Sequence, residues 1–314
     1  MTTPLVLITE PITPEPARWL GDRCQVVQMN TADPAFEENL NRAHGLVVRT
    51  YTRVDQSMLG RAPNLRVVGR AGVGLDNIDL DACSKRGVRV VHTPHSNAMA
   101  VVEYMVSMLI RSLRVIEPMN KPLNTEQWHA AREAAITPGS VVGARIGIIG
   151  LGHIGSRVAR AAQSLGMDVV YNDLRTIEPE VAGGFASVTL DELLSTSRCV
   201  CLHVDGRPEN HHMIGERAFG LMRDDSVLIN ASRGMVVDPI AAEGFARSNP
   251  EARLVLDVHD PEPIAIDSGL LELENVVLTP HIAAATAQAK AAMSWVVRDV
   301  WAVLEGQEPE FPAC

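Results

Sequence analysis

Arg233 in INASRGMVVD, Glu262 in LDVHDPEP and His281 in VVLTPHIAAAT are residues of the types that handle anions and protons. A guanidinium pairs with a carboxylate through two parallel hydrogen bonds, and an imidazole titrating near neutrality gives and takes a proton. A carboxylate bonded to the imidazole's other nitrogen fixes the tautomer and favours the charged ring. Together the three could hold a carboxylate-bearing substrate and move a proton on and off one of its oxygens. Singly, each has a plain structural explanation: a loop cation, a solvated turn residue between prolines, a neighbour of a helix cap.

A further group binds rather than reacts. IIGLGHIG, residues 148–155, spaces Gly150, Gly152 and Gly155 as G-x-G-x-x-G. The motif closes the apolar run RIGIIG and opens the helical pattern SRVARAAQSLG, the strand–turn–helix context that a dinucleotide site requires. The glycines then serve a tight turn, a close approach to pyrophosphate and helix–strand packing, and the first N–H groups of the helix receive the phosphates. Asp173 ends the next apolar run, 173 − 155 = 18 residues beyond the last glycine. A carboxylate near that separation accepts from a ribose diol and repels a 2′-phosphate, which predicts NAD rather than NADP, with Arg175 partly offsetting the preference.

Two alternating series of apolar runs and helical patterns position these residues. The first holds LVLIT (5–9), QVVQM (25–29), GLVVRT (45–50), LRVVGRAG (65–72) and VRVVHTP (88–94). The second holds RIGIIG (145–150), MDVVYND (167–173), CVCLHV (199–204), SVLIN (226–230), ARLVLDV (252–258) and NVVLTPHI (275–282). Continuous Val/Ile/Leu runs separated by helices predict parallel sheets covered on both faces. Arg233, Glu262 and His281 follow strand C-termini, where open α/β sheets bind ligands. A long helix is expected from about 97 to 113, an irregular boundary segment over 119–140, and one long amphipathic helix over 286–306. That last helix is long enough to return to the first series, so the expected fold is two doubly wound α/β domains, 99–285 inserted into a discontinuous 1–98 plus 286–314.

The formal charge of −10 and the lack of clustered Lys and Arg argue against nucleic acid. No apolar run approaches the length of a membrane span and no basic n-region precedes one, so a cytoplasmic protein without a membrane partner is expected. Five scattered cysteines without a C-x-x-C pair read as reduced thiols, Cys199 and Cys201 as small hydrophobes inside a strand. His211 and His212 lack further ligands at metal-site spacing, so no metal is expected.

Seven blocks, GRAGVGLDNIDL (69–80), NAMAVVEYMVSMLI (97–110), GIIGLGHIGSRVA (147–159), HHMIGERAF (211–219), LINASRGMVVD (228–238), LDVHDPEP (256–263) and LTPHIAAAT (278–286), run in the order found in the D-isomer-specific 2-hydroxyacid dehydrogenases. The chain resembles that family over nearly its whole length, most nearly the phosphoglycerate dehydrogenase branch. The resemblance implies a Rossmann coenzyme domain inserted into a flavodoxin-like substrate domain, a 2-hydroxy or 2-keto acid substrate, NAD, and a homodimer. It makes His281 the acid/base, Glu262 its partner and Arg233 the binder of the substrate carboxylate and carbonyl. His153, Ile154, His203, Ala231, Ser232 and Asp257 join the glycines and Asp173 as coenzyme contacts. For the substrate it adds Arg49, Arg70, Val73, Gly74 and Asn97. The AGVG loop would offer the N–H groups of Val73 and Gly74 as an anion nest, although a plain strand-to-helix turn explains its glycines equally well. The same fold resembles NAD(H)-sensing corepressor scaffolds, the alternative reading. Departures from the family pattern are Trp128–His129 without a following basic residue, His203-Val204-Asp205-Gly206-Arg207 in place of His-x-Pro-Leu-Thr, Pro239, and His259 for an aromatic.

Overall fold

The computed structural model describes residues 3–114, 116, 118–136 and 140–313. The chain divides into two compact units, Met1–Ala98 with Ala284–Cys314, and Met99–Ala283.

In the first unit, β1 (Leu5–Ile8), β2 (Gln25–Gln28), β3 (Gly45–Val48), β4 (Val67–Arg70) and β5 (Arg89–His92) form a parallel sheet in the order β2-β1-β3-β4-β5. Alternation along the strands sends side chains to two separate cores. Leu7, Leu46, Val48, Val68 and Val90 pack with Phe36, Leu40, Met58 and Leu59 on one face. Val6, Ile8, Val47, Val67 and Val91 pack with Leu20, Val297 and Val300 on the other. The C-terminal residues are thus a structural part of this unit. Where one long helix is expected, the chain forms two, Ala287–Ser294 and Val297–Leu304. Ser294 Oγ donates back to the Lys290 carbonyl at 2.6 Å and accepts from the Thr13 N–H, and such back-bonding competes with the helical ladder. Trp295 also leaves the helix to meet Trp19 edge to face.

The second unit carries β6 (Arg145–Ile149), β7 (Asp168–Asn172), β8 (Ala186–Ser187), β9 (Cys199–Leu202), β10 (Val227–Asn230), β11 (Arg253–Leu256) and β12 (Val276–Leu278). All are parallel, in the order β12-β11-β10-β9-β6-β7-β8. The order reverses beside β6, so the crevice above its C-terminal end is a topological switch point. Apart from β10, which ends with its run at Asn230, strand ends fall one to four residues short of the apolar runs, and Asp173, His203, Asp257 and His281 enter loops. The two-residue β8 is too short to show a periodic signal.

The 119–140 segment is not irregular throughout. Thr125–Ala134 is a helix, started by a capping box in which Asn124 accepts from the Gln127 N–H and Gln127 from the Asn124 N–H. None of its residues is buried, so it has no apolar face to betray it. Ala98–Leu113 is helical as expected. No helix among the described residues is long and apolar enough to cross a membrane. Cys24, Cys83, Cys199 and Cys201 are buried thiols outside any disulfide, and Cys314 lies outside the described residues.

Candidate active site

The glycine loop sits where the switch point requires it. Gly150 turns at φ +90°, and a Cβ there would press on the His203 backbone. Around Gly152 a Cβ would meet nothing nearer than Arg175 Nη2 at 3.9 Å, so this backbone faces open space. The helix Gly155–Ser164 begins without a side-chain cap, although the Ser156 and Arg157 N–H groups donate to the Gly152 and Ile154 carbonyls. His153 is exposed and Ile154 half-buried at this turn. A cleft of about 430 Å³ opens here, lined by Gly150, Gly152, Asp173, Arg175, His203 and Asp205 among others. His203 Nε2 is buried without a hydrogen-bond partner, and burial pushes the imidazole down to about 4, so it is neutral at physiological pH. An orphaned nitrogen, uncapped helix and open glycine backbone in one cleft fit a dinucleotide.

Asp173 is occupied. Its Oδ2 accepts from the Leu151 N–H at 2.8 Å and its Oδ1 from the Arg175 N–H at 2.9 Å, while the Arg175 guanidinium reaches both oxygens at 3.2 and 3.3 Å. Burial would raise this carboxyl, but the hydrogen bonds from Arg175 and Leu151 outweigh it and hold it low. A ribose diol would therefore compete with an exposed guanidinium. On the loop that departs from the family pattern, Asp205 is paired with Arg207 and accepts from Asn210.

Three loops at the ends of β10, β11 and β12 carry Arg233, Glu262 and His281. Asn230, fully buried at the end of β10, folds its side chain over the next turn, accepting from Ser232 N–H and Oγ and donating to the Arg233 carbonyl. Ala231, Ser232 and Arg233 are thereby fixed, and Arg233 Nη1 donates to the Ser232 carbonyl. Gly234 is essential next: a Cβ there would overlap the His259 backbone. Its absence seats the Arg233 turn against the loop that carries Glu262.

Glu262 and His281 meet directly, Oε2 to Nδ1 at 3.1 Å, and Glu262 Oε1 accepts from the His259 N–H. Burial tends to raise the Glu262 carboxyl, but the hydrogen bond and charge of His281, with lesser help from His259, hold it below the usual carboxylate range. His281 itself takes a left-handed backbone, φ +55°, which costs a non-glycine residue roughly 1 kcal/mol or more. Asp257 maintains it. Its carbonyl accepts from the His281 N–H, and its fully buried carboxylate accepts from Thr279 Oγ1, Ile282 N and Ala283 N. Tyr104 and His259 grip Thr279 from two further directions, at 2.7 and 2.9 Å. The unexpected histidine at 259 thus makes a hydrogen bond that an aromatic hydrocarbon ring could not.

The remaining predicted residues form a separate set in the first unit. The Arg70 guanidinium lies over Gly72, whose Cβ would overlap it. Gly72 and Val73 are tied inward by their carbonyls, to the Thr93 N–H and to His92 Nδ1. Gly74 follows, half-buried, and Asn97 Oδ1 is buried without a partner. Arg49 donates to the Pro11 carbonyl. Its loop is built on Glu10, whose carboxylate accepts from the N–H groups of Arg49, Thr50, Tyr51 and Thr52. Sequence reading missed Glu10, Asn230 and Tyr104. The first two were visible only as polar residues ending apolar runs, and Tyr104 gave no signal on its helix.

Residues 106–283 match the family described as D-isomer specific 2-hydroxyacid dehydrogenase, NAD binding domain. The chain is 32% identical over 297 residues to a D-3-phosphoglycerate dehydrogenase of Archaeoglobus fulgidus, covering 94% of this chain and 56% of that protein. It therefore spans about half the length of the phosphoglycerate dehydrogenases it matches. A glyoxylate reductase of Thermofilum pendens is 34% identical over 319 residues, with 98% of this chain and 94% of the relative covered. Among solved structures, the D-lactate dehydrogenase of Aquifex aeolicus complexed with NAD and lactic acid superposes with a TM-score of 0.80 at 28% identity, covering 96% of each chain.

Proposed function

The chain belongs to the D-isomer-specific 2-hydroxyacid dehydrogenase family, and from that membership we propose that it is an NAD-dependent oxidoreductase interconverting a D-2-hydroxy acid and its 2-keto acid. The observation that carries the reading is the 3.1 Å contact of His281 Nδ1 with Glu262. With Nδ1 committed to the carboxylate, Nε2 is the nitrogen that takes the proton of the C2 hydroxyl, or returns it to the carbonyl oxygen in the reverse direction. Glu262, ionised by the contacts described, balances the imidazolium so formed. Arg233 binds the substrate carboxylate and steadies negative charge on the C2 oxygen. Bound NAD supplies the carbon that accepts or donates hydride at C2.

Gly150, Gly152, His153, Ile154 and Gly155 hold the pyrophosphate, Asp173 the adenosine ribose, and His203, Ala231, Ser232 and Asp257 the rest of the coenzyme. Asp257, fully buried, contributes by accepting from Thr279 Oγ1, Ile282 N and Ala283 N and so shaping the loop beside the coenzyme. Val73 and Gly74 offer N–H groups to the substrate carboxylate, with Arg49, Arg70 and Asn97 as further contacts. Residues 99–285 are then the coenzyme domain and 1–98 with 286–314 the substrate domain. The Ala/Val/Met-rich run 98–110 is the proposed contact of a homodimer, and the cytoplasm the proposed compartment. With Trp128 and His129 exposed on a helix that buries nothing, a phosphate-free acid such as glyoxylate or hydroxypyruvate is the favoured substrate class.

Loss of NADH fluorescence with a panel of 2-keto acids, phosphorylated and not, tests this reading. His281→Ala should bind NADH as the wild type does while kcat falls roughly 100-fold or more, the scale of lost acid–base catalysis. Unimpaired turnover removes His281 from the reaction, and NADH binding without turnover across the panel favours a nucleotide-sensing scaffold.

A further inference from the structure

His211 and His212 gain in the fold the third ligand their sequence lacks. Asp260 comes from the loop after β11, 48 residues on from His212 (260 − 212). One candidate ligand atom from each of the three lies within 4.8 Å of the others. The two imidazole rings stack at 3.8 Å with 22° between planes, so they present their edges together. His212 holds φ +52°, a backbone that histidine adopts only at a cost, and it is anchored there by its N–H to the Met235 carbonyl. Behind it, Asp238 Oδ2 stands 3.6 Å from His212 Nδ1, beyond hydrogen-bond reach, and places a negative charge beside that ring.

We infer that His211, His212 and Asp260 form a binding site for a divalent transition cation of the Zn²⁺ or Ni²⁺ type. Two imidazole nitrogens and one carboxylate oxygen are a donor set suited to those ions and poor for Mg²⁺ or Ca²⁺, which prefer oxygen alone. Ligand atoms in a tetrahedral site at bonds of about 2.1 Å stand roughly 3.4 Å apart, a contraction that rotation of exposed side chains can supply. His211 and Asp260 are exposed and His212 half-buried, so water completes the coordination and affinity is on the order of micromolar rather than that of a closed structural site. Asp260 lies two residues before Glu262, so the ion would also pin the loop that carries the partner of His281. The site stands independently of the proposed reaction.

Calorimetric titration of the untagged chain with Zn²⁺, without coenzyme or substrate, tests it. One ion per chain is expected, with Kd raised roughly 10-fold or more by Asp260→Asn and by His212→Gly. Glycine takes φ +52° without strain, so His212→Gly removes a ligand while leaving the fold as stable or more so. His281→Ala should bind as the wild type does. No saturable binding below about 100 µM Zn²⁺, wild-type affinity retained in both ligand variants, or loss of the site in His281→Ala would overturn the assignment.

Discussion

At the scale of single residues, the ribose role proposed for Asp173 rests on a pair rather than on that carboxylate alone. Arg175 is two-thirds exposed and shares its charge with a carboxylate that is 7% exposed, so this wall of the cleft is close to neutral. Removing either partner unbalances it. Arg175→Ala should raise the preference for NADH over NADPH and Asp173→Ala should lower it, each by about 5-fold, the scale of roughly 1 kcal/mol for one partly exposed charge. Dissociation constants for the two coenzymes, measured by fluorescence without substrate, decide the matter. An unchanged ratio in both variants would remove this pair from coenzyme choice. The carboxylate at 173 was legible from its distance to the glycines, but its occupation by Arg175 was not, because a two-residue offset does not say which way a flexible side chain folds.

Loops between elements carry most of the precision, and three of them are each held by one acid or amide. Glu10 does this for residues 49–52, accepting four backbone N–H groups. Burial would raise its carboxyl, but those four bonds hold it low. A depressed carboxylate contributes stability that is present above its unfolded value, about 4.3, and is lost as pH falls through its folded value. Glu10→Gln should therefore cost about 1–3 kcal/mol in urea unfolding at pH 7, and the gap from the wild type should close as pH drops below about 4. A pH-independent gap would mean the charge is immaterial. Asn230 and Asp257 play the same part for the Arg233 turn and the His281 loop. Each could be read in advance as a polar residue at the end of an apolar run, though not what it would grip. The capping box at Asn124–Gln127 was written in NTEQ, yet the helix after it buries nothing and so lacked a periodic face.

For the molecule as a whole, the two parallel sheets bury their histidines and acids unevenly, and this shapes the response to pH. His203 is held neutral down to about 4. Its unfolded value lies near 6.5, so between about pH 6.5 and 4 the unfolded chain gains a proton that the folded chain refuses, and stability declines. The effect starts above the carboxylate range and can be separated from it. His203→Gln should lose less stability than the wild type between pH 7 and pH 5, by thermal unfolding of each. Equal losses would show that another group carries this limb.

The glycine spacing, the continuous apolar runs and the ordered blocks fixed two parallel α/β sheets, a dinucleotide site and family membership, because periodicity and backbone constraints act between neighbours in the chain. Tertiary structure alone decided that Gly234 packs on His259, that Arg175 covers Asp173 and that Asp260 joins His211 and His212. It also broke the C-terminal helix at Trp295, where a distant Thr13 and Trp19 compete for its last turn. Those outcomes depend on where side chains from separate loops point once the sheets have set the loop ends. No local pattern encodes that direction.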